Sequence, residues 1–166
     1  MIAQRLKKFP TIADKLLREP RMKLSRMADI GGVRAVLPNQ EAVYRIANRL
    51  RKNWTITKVR DYASEPKGDG YRAVHLINRH RGRLIEVQLR TRLQDAWANS
   101  VETDARRIAP GLKFGAGPVE LRDFYVVLGE FLANVDQDRP MEDALMRRLH
   151  DLQEPVATLR RAHDEP

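Results

Sequence analysis

An α+β fold is predicted by three features of the sequence. Within residues 84–90, Ile85, Val87 and Leu89 alternate with Glu86, Gln88 and Arg90, the period of a strand that sends successive side chains to opposite faces. Residues 71–77 form a second strand candidate, joined to the first by a short turn at Arg81-Gly82-Arg83. Further upstream, Val43, Ile46, Ala47 and Leu50 fall at i, i+3, i+4 and i+7, one apolar stripe of a helix. An exposed strand shows the same alternation as 84–90. The neighbouring run tips the reading toward a site, because Tyr71 and His75 are expected on one face of their strand. The hairpin would then collect a carboxylate, an amide, a guanidinium, an imidazole and a phenol on one patch of sheet.

The remaining elements are placed in chain order. Residues 2–9 carry Arg5, Lys7 and Lys8 on a short segment expected to be helical and ended by Pro10. Thr11 is the expected N-cap of a helix to about Glu19, with Ile12, Leu16 and Leu17 inward and Pro20 as the stop. A buried strand over 32–37 follows the Gly31-Gly32 pair, Asn39 caps the helix of Val43, and 54–60 alternates as a strand. Residues 65–70, Glu-Pro-Lys-Gly-Asp-Gly, have loop chemistry and could close over a ligand. A helix from Thr91 or Arg92 contains Leu93, Asp95, Trp97 and Val101, with Trp97 expected in the core. Past a glycine-rich break at 110–118, helices are expected over 119–135 and from Pro140 to about Ala162, kinked or interrupted at Pro155.

Composition narrows the function. The 166 residues suit one core-forming chain. There is no cysteine, hence no disulfide framework and no thiolate metal site or nucleophile. No apolar run is long enough to span a membrane and the first residues lack a signal peptide's apolar core, so the expected location is cytoplasmic. Lys and Arg number 31 against 22 Asp and Glu, a formal charge of +9 that favours nucleotides or RNA as partners. Aromatic content is 6%, and no strand resembles an aromatic RNA-binding platform.

Several spaced motifs together resemble the synthetase domain of RelA/SpoT-type proteins, and most closely the small stand-alone alarmone synthetases. They are Asp29-Ile-Gly-Gly-Val-Arg34, Asp61-Tyr62, Pro66-Lys67-Gly-Asp-Gly70-Tyr71-Arg72-Ala-Val-His75 and Glu86-Val-Gln88-Leu-Arg90-Thr91. Order and spacing hold from about Arg5 to Trp97. The resemblance implies a nucleotidyltransferase-like mixed sheet flanked by helices, with additional C-terminal helices. Residues 1–108 would be the synthetase core and 109–166 a helical extension, packed on the core or used in oligomerisation. The implied reaction moves the β,γ-pyrophosphate of ATP to the 3′-hydroxyl of GDP or GTP, giving (p)ppGpp and AMP.

Carried over position by position, Asp29 and Glu86 match the two carboxylates that work with Mg²⁺, an ion that suits carboxylates completed by substrate phosphates. Glu86 also stands where the family activates the acceptor hydroxyl. Arg5, Lys7, Thr11, Lys15 and Arg34 match the ATP-binding set, with Thr11 where a serine is usual and Arg5 with Arg34 on the adenine. Such cations offset charge developed in phosphoryl transfer; taken without the resemblance, Arg5, Lys7 and Lys15 are an exposed basic face and Asp29 a cap. Tyr71 matches the guanine-stacking residue, and Lys67, Arg72, His75, Gln88, Arg90 and Asp95 match positions around the acceptor. Ala73 stands where a serine is common.

The start before Arg5 is shorter than in the family, which leaves a catalytically weak nucleotide- or RNA-binding relative as one alternative. A toxin acting on the 3′ end of tRNA is another, with an antitoxin protein and a homo-oligomer as further partners to test. The hydrolase half of the long bifunctional relatives has no counterpart here, and His150-Asp151 is read as a chance dipeptide.

Overall fold

The alternation of 84–90 becomes the central strand of a sheet. In a computed structural model, which describes residues 1–163, contacts group the chain into two compact units: residues 1–61 with 73–91, and 62–72 with 92 onward. The first unit carries β1 (Ile2–Leu6), α1 (Phe9–Arg18), β2 (Gly31–Leu37), α2 (Gln40–Asn53), β3 (Ile56–Asp61), β4 (Val74–His80) and β5 (Arg83–Thr91). The strands lie in the order β1-β2-β5-β4-β3. β2 and β5 run parallel and every other neighbouring pair is antiparallel, so the sheet is mixed as expected.

Register explains the first unit's core. Val74 lies opposite Leu89 and Leu76 opposite Val87, while Val33 and Ala35 of β2 flank Val87 and Leu89. Cross-strand partners share a face, so one side of the sheet is apolar. α2 packs against β2, β4 and β5 and buries Ala42, Val43 and Ala47. Its start is the expected one: the Asn39 side chain accepts a hydrogen bond from the Ala42 N–H at 2.9 Å.

Several expected boundaries move. Residues 2–6 are not helical; they pair as an edge strand, Arg5 opposite Gly32. A segment this short gains little from helix formation, and the ladder it joins is supplied by residues about thirty positions away. Pro10 starts α1 instead of stopping a helix, since it occupies the first turn, where a missing N–H costs nothing. The N-cap position falls on Lys8 and not Thr11, and Leu17 points outward at 80% exposure. β4 begins at Val74, so Tyr71 and His75 do not share a strand face. Trp54 caps the C-terminus of α2 and precedes β3.

The second unit contains the 62–72 loop and three helices, α3 (Arg92–Arg107), α4 (Val119–Asp136) and α5 (Asp143–Ala162). The last of these starts three residues after Pro140 and continues through Pro155. Trp97, Val101, Leu121, Tyr125 and Val156 form a buried cluster from all three helices. α3 therefore has apolar partners in α4 and α5. Trp97 is core, as expected, and its indole N–H donates to the Tyr125 carbonyl at 2.9 Å. The buried Asp104 carboxylate accepts from the Tyr125 hydroxyl at 2.7 Å and from the Arg160 guanidinium at 2.8 Å, tying α3, α4 and α5 together. Among the described residues no helix is long and apolar enough to cross a membrane.

The loop sits backbone to backbone on α4. A Cβ at Gly129 would lie 2.6 Å from the Gly70 carbonyl oxygen, and one at Gly70 2.7 Å from the Tyr125 carbonyl oxygen. Alanine in a helix interior is otherwise favoured over glycine by about 1 kcal/mol, but overpacking against a fixed carbonyl costs about 1–3 kcal/mol. Gly129→Ala should therefore lower the unfolding midpoint in urea, whereas Gly68→Ala, with nothing within 4 Å of its added carbon, should leave it in place.

Candidate active site

The second face of the same sheet is polar and yet buried. Register carries Arg5 beside Gly32, Gly32 beside Glu86, Arg34 beside Gln88, and His75 beside Gln88, which sets these side chains on one face. Glu86, Gln88, Arg90 and His75 are each less than a tenth exposed. Gly32 is required at its place, because a Cβ there would stand 2.5 Å from the Glu86 carbonyl oxygen.

Glu86 is the centre of the patch. Its carboxylate lies 3.0 Å from His75 Nδ1, which must carry the proton because an ionised carboxylate only accepts. It also accepts from Gln88 Nε2 at 2.6 Å, and Arg5 approaches at 3.6 Å. Gln88 in turn accepts from the Arg90 guanidinium at 3.4 Å. Burial alone would raise the Glu86 pKa. The His75 hydrogen bond and charge, with Gln88 and Arg5, reverse that and bring it down to about 2.

Asp29, just before β2, is held the same way. Lys7 Nζ donates to it at 2.7 Å and Lys15 Nζ at 3.3 Å. Burial pushes its pKa up, and the bond and charge of Lys7, with those of Lys15, outweigh burial and hold it below the ordinary carboxylate value. Lys7 continues the line of β1, its N–H bonded to the Ile30 carbonyl at 2.9 Å. Residues two apart on an extended chain lie about 7 Å apart on one side. Arg5 on Glu86 and Lys7 on Asp29 thus hold the two carboxylates from positions two apart on one segment.

That pair fits Mg²⁺, which binds through one or two carboxylates with phosphate oxygens completing its shell. Among the described residues no group of three or more His, Cys, Asp or Glu is placed to hold a metal, so the remaining ligands would have to come with the substrate. Thr11 lies exposed in the first turn of α1, one turn before Lys15.

Four expected acceptor residues, Lys67, Tyr71, Arg72 and Asp95, belong to the second unit. There the Lys67 ammonium sits 4.9 Å from the Tyr71 ring centre and 4.8 Å from that of Tyr62, within cation–π reach of both. Tyr62 carries no expected role from the sequence, where it enters only through the Asp61-Tyr62 motif. Arg72 donates to the Ala63 carbonyl at 3.1 Å and so binds its own loop, and Asp95 accepts from Asn99 at 3.2 Å. Gly129, absent from the sequence expectations, is detectable as a glycine inside a helical pattern.

A mixed five-stranded sheet with flanking helices is also the architecture of solved alarmone synthetases. Small alarmone synthetase 2 from Bacillus subtilis superposes with a TM-score of 0.69 at 28% identity, over 83% of this chain and 77% of that one. The chain belongs to the RelA/SpoT family, whose domain, described as the region found in RelA / SpoT proteins, matches residues 4–106. GTP pyrophosphokinase YwaC from Bacillus subtilis (strain 168) is 35% identical over 111 residues, 57% of this chain and 52% of that protein. Uncharacterized protein Rv1366 from Mycobacterium tuberculosis is 31% identical over 126 residues, 73% of this chain and 45% of that protein. The chain thus spans about half the length of these curated relatives.

The lowered Glu86 pKa has a stability consequence with a definite sign. A carboxylate whose folded pKa is depressed stabilises the fold above its ordinary value of 4.5, and that contribution is lost as pH falls toward about 2. The full shift corresponds to about 3 kcal/mol. Urea unfolding followed from pH 5 to pH 2 should show a steep loss in the wild type and a shallower one in Glu86→Gln.

Proposed function

We propose that this chain carries an ATP-dependent pyrophosphokinase site that moves the β,γ-pyrophosphate of ATP to the 3′-hydroxyl of GDP or GTP, giving (p)ppGpp and AMP. The observation that supports it best is that two carboxylates, Asp29 and Glu86, are each gripped by cations from the N-terminal elements. A triphosphate needs such cations, and a divalent ion needs such carboxylates. Family membership and the name of the relative YwaC point the same way.

In this reading Lys7 and Lys15 turn from Asp29 to the phosphates of ATP, and Arg5 with Arg34 hold the adenine by guanidinium stacking. Thr11 supplies a hydroxyl beside them. Bound Mg²⁺, held by Asp29 and Glu86, would neutralise charge on the transferring pyrophosphoryl group. Glu86 takes the proton of the acceptor hydroxyl. A group with a pKa near 2 is a weak base. His75 is the main influence holding it there and Arg5 the smallest, so loosening of the His75 hydrogen bond, more than movement of Arg5, would return Glu86 toward its ordinary basicity. His75 and Gln88 fix the Glu86 carboxylate in position, and Arg90 fixes Gln88. Tyr71 stacks on guanine once Lys67 leaves its ring for the acceptor phosphates, with Arg72 and Asp95 shaping that side.

The charge of +9 supports a second acceptor, the 3′-terminal adenosine of tRNA. ATP labelled at the γ-phosphate, offered separately with GDP and with deacylated tRNA, discriminates the two by which product carries label. A chain that binds ATP but releases no AMP with either acceptor would instead be the binding relative.

Two outcomes test the roles. Glu86→Gln should lower AMP release by about 10²–10⁴-fold while ATP binding survives; normal turnover in that variant would refute the assignment. Chelation of Mg²⁺ should stop label transfer, and restoring the ion should bring it back.

A further inference from the structure

We propose that two copies of this chain join through β1, the open edge of the first unit's sheet, with the two strands antiparallel and Gln4 on the two-fold axis. β1 ends the strand order, and among the described residues only β2 pairs with it. Met1 exchanges hydrogen bonds with Val36 at 2.8 and 3.0 Å, and the Lys7 N–H bonds to the Ile30 carbonyl at 2.9 Å. In an antiparallel ladder such bonded pairs recur at every second residue, so the backbone groups of Met1, Ala3, Arg5 and Lys7 face β2. The N–H and C=O groups of Ile2, Gln4 and Leu6 therefore point outward from the sheet. The edge is open: Ile2 and Leu6 are 78% and 70% exposed, and Met1, Ala3 and Gln4 are exposed as well.

This edge is complementary to itself. With Gln4 at the centre, Ile2 lies opposite Leu6 of the second copy, Gln4 opposite its own counterpart, and Leu6 opposite Ile2. Each of these three pairs exchanges two backbone hydrogen bonds, which uses every outward group of the three residues. Ile2 and Leu6 share one face, so the seam sets apolar side chains against apolar ones, the kind of cross-strand pair that stabilises a sheet. On the other face Arg5 meets Ala3 and Lys7 meets Met1. Each of those cations already has a carboxylate in its own copy, Glu86 for Arg5 and Asp29 for Lys7. Neither neighbouring centre does as well. One at Arg5 sets two guanidiniums opposite each other, and one at Ala3 leaves Leu6 beyond the end of the ladder.

The far edge of the sheet is guarded where β1 is not. β3 carries Lys58 and Arg60, and its ladder to β4 shifts register between Ile56 and Lys58. Charged side chains and bulges are devices that keep an edge from pairing. A head-to-tail stack of β1 on β3 is therefore disfavoured, and the two-fold arrangement closes after two copies. The contact is small. Five residues a side fall short of the roughly 1,200 Å² of stable complexes, and the charge of +9 on each copy opposes approach. The dimer is thus of the weak class, formed at high concentration and favoured by salt, which screens the repulsion. Pairing fixes the strand that holds Arg5 against Glu86 and leads into Lys7 on Asp29, yet the seam itself uses none of those side chains.

The full chain tests the seam without reference to the proposed reaction. Sedimentation of the wild type from micromolar to millimolar concentration should move from one chain mass toward two, and at lower concentration when salt is raised. Over the same range hydrogen exchange should slow at the Ile2, Gln4 and Leu6 amides. It should stay unchanged at Ala3 and Arg5, which already pair with β2. Gln4→Pro removes one outward donor from each copy and leaves the ladder to β2 in place, since proline is tolerated where the N–H faces away from the sheet. Losing two bonds across the seam should raise the association midpoint about thirtyfold. Ile2→Lys and Leu6→Glu should each weaken association, and the chain carrying both should associate more tightly than either alone, because opposite charges then meet across the seam. A wild type that stays monomeric at millimolar concentration overturns the proposal. So does association that salt weakens, or that Gln4→Pro leaves unchanged in a protein with the wild-type circular dichroism. A double variant no better than the single ones overturns the register, and with it the proposal. A dimer lost instead through Met146→Lys, at an exposed position of α5, would place the contact on the helices and overturn it too.

Discussion

Charge compensation on the polar sheet face is the interaction on which the rest of the first unit depends. Two carboxylates, Asp29 and Glu86, are withdrawn from water, which costs several kcal/mol per ion unless partners are near. The partners come from β1 and α1, elements with almost no core of their own: α1 buries no residue, and Ile2 and Leu6 of β1 are more than two-thirds exposed. Apolar packing holds β2, β4, β5 and α2 together. The N-terminal elements are held by the ladder to β2 and by Arg5, Lys7 and Lys15 on the two acids. An anionic ligand that drew those cations away would act on the least firmly anchored part of the sheet, so binding and local order are coupled there.

Much of this is legible in the sequence. The strict alternation of 85–90 determines which side chains share a face, because a period of two has one solution once the core side is known. Asn39 and the stripe from Val43 to Leu50 mark α2 for the same reason: cap and periodicity agree. Expectation fails where the deciding contact is remote. Ile2–Leu6 has no period of its own and becomes a strand only through β2. Pro10 is compatible with ending or beginning a helix, and the choice lies with the chain that follows. Tyr71 and Arg72 read as strand because they precede Val74, but Gly70 and its seat on α4 place them in the loop. The burial of the polar face is also hidden, since alternation alone does not say which sides are covered.

The second unit follows a different logic. Its helices share one apolar cluster, and a loop bearing Lys67 and Tyr71 rests on α4 through glycine carbonyl contacts that leave no space for a side chain. Loop conformation is thus set by backbone contact, while the ring faces of Tyr62 and Tyr71 are covered by a lysine whose flexible stem can swing away. The loop thus pairs a rigid backbone with an exchangeable cation.

Asp104 gives the helical unit a spectroscopic signature. The chain has four tyrosines, and Tyr125 alone combines burial with a hydroxyl donated to a carboxylate; burial first, then the bond and charge of Asp104, push its ionisation well above the ordinary phenol value despite Arg160. In strong alkali its phenolate absorbance would be withheld until α3, α4 and α5 come apart. Ultraviolet absorption against hydroxide concentration would then record, without any label, when that three-helix assembly opens.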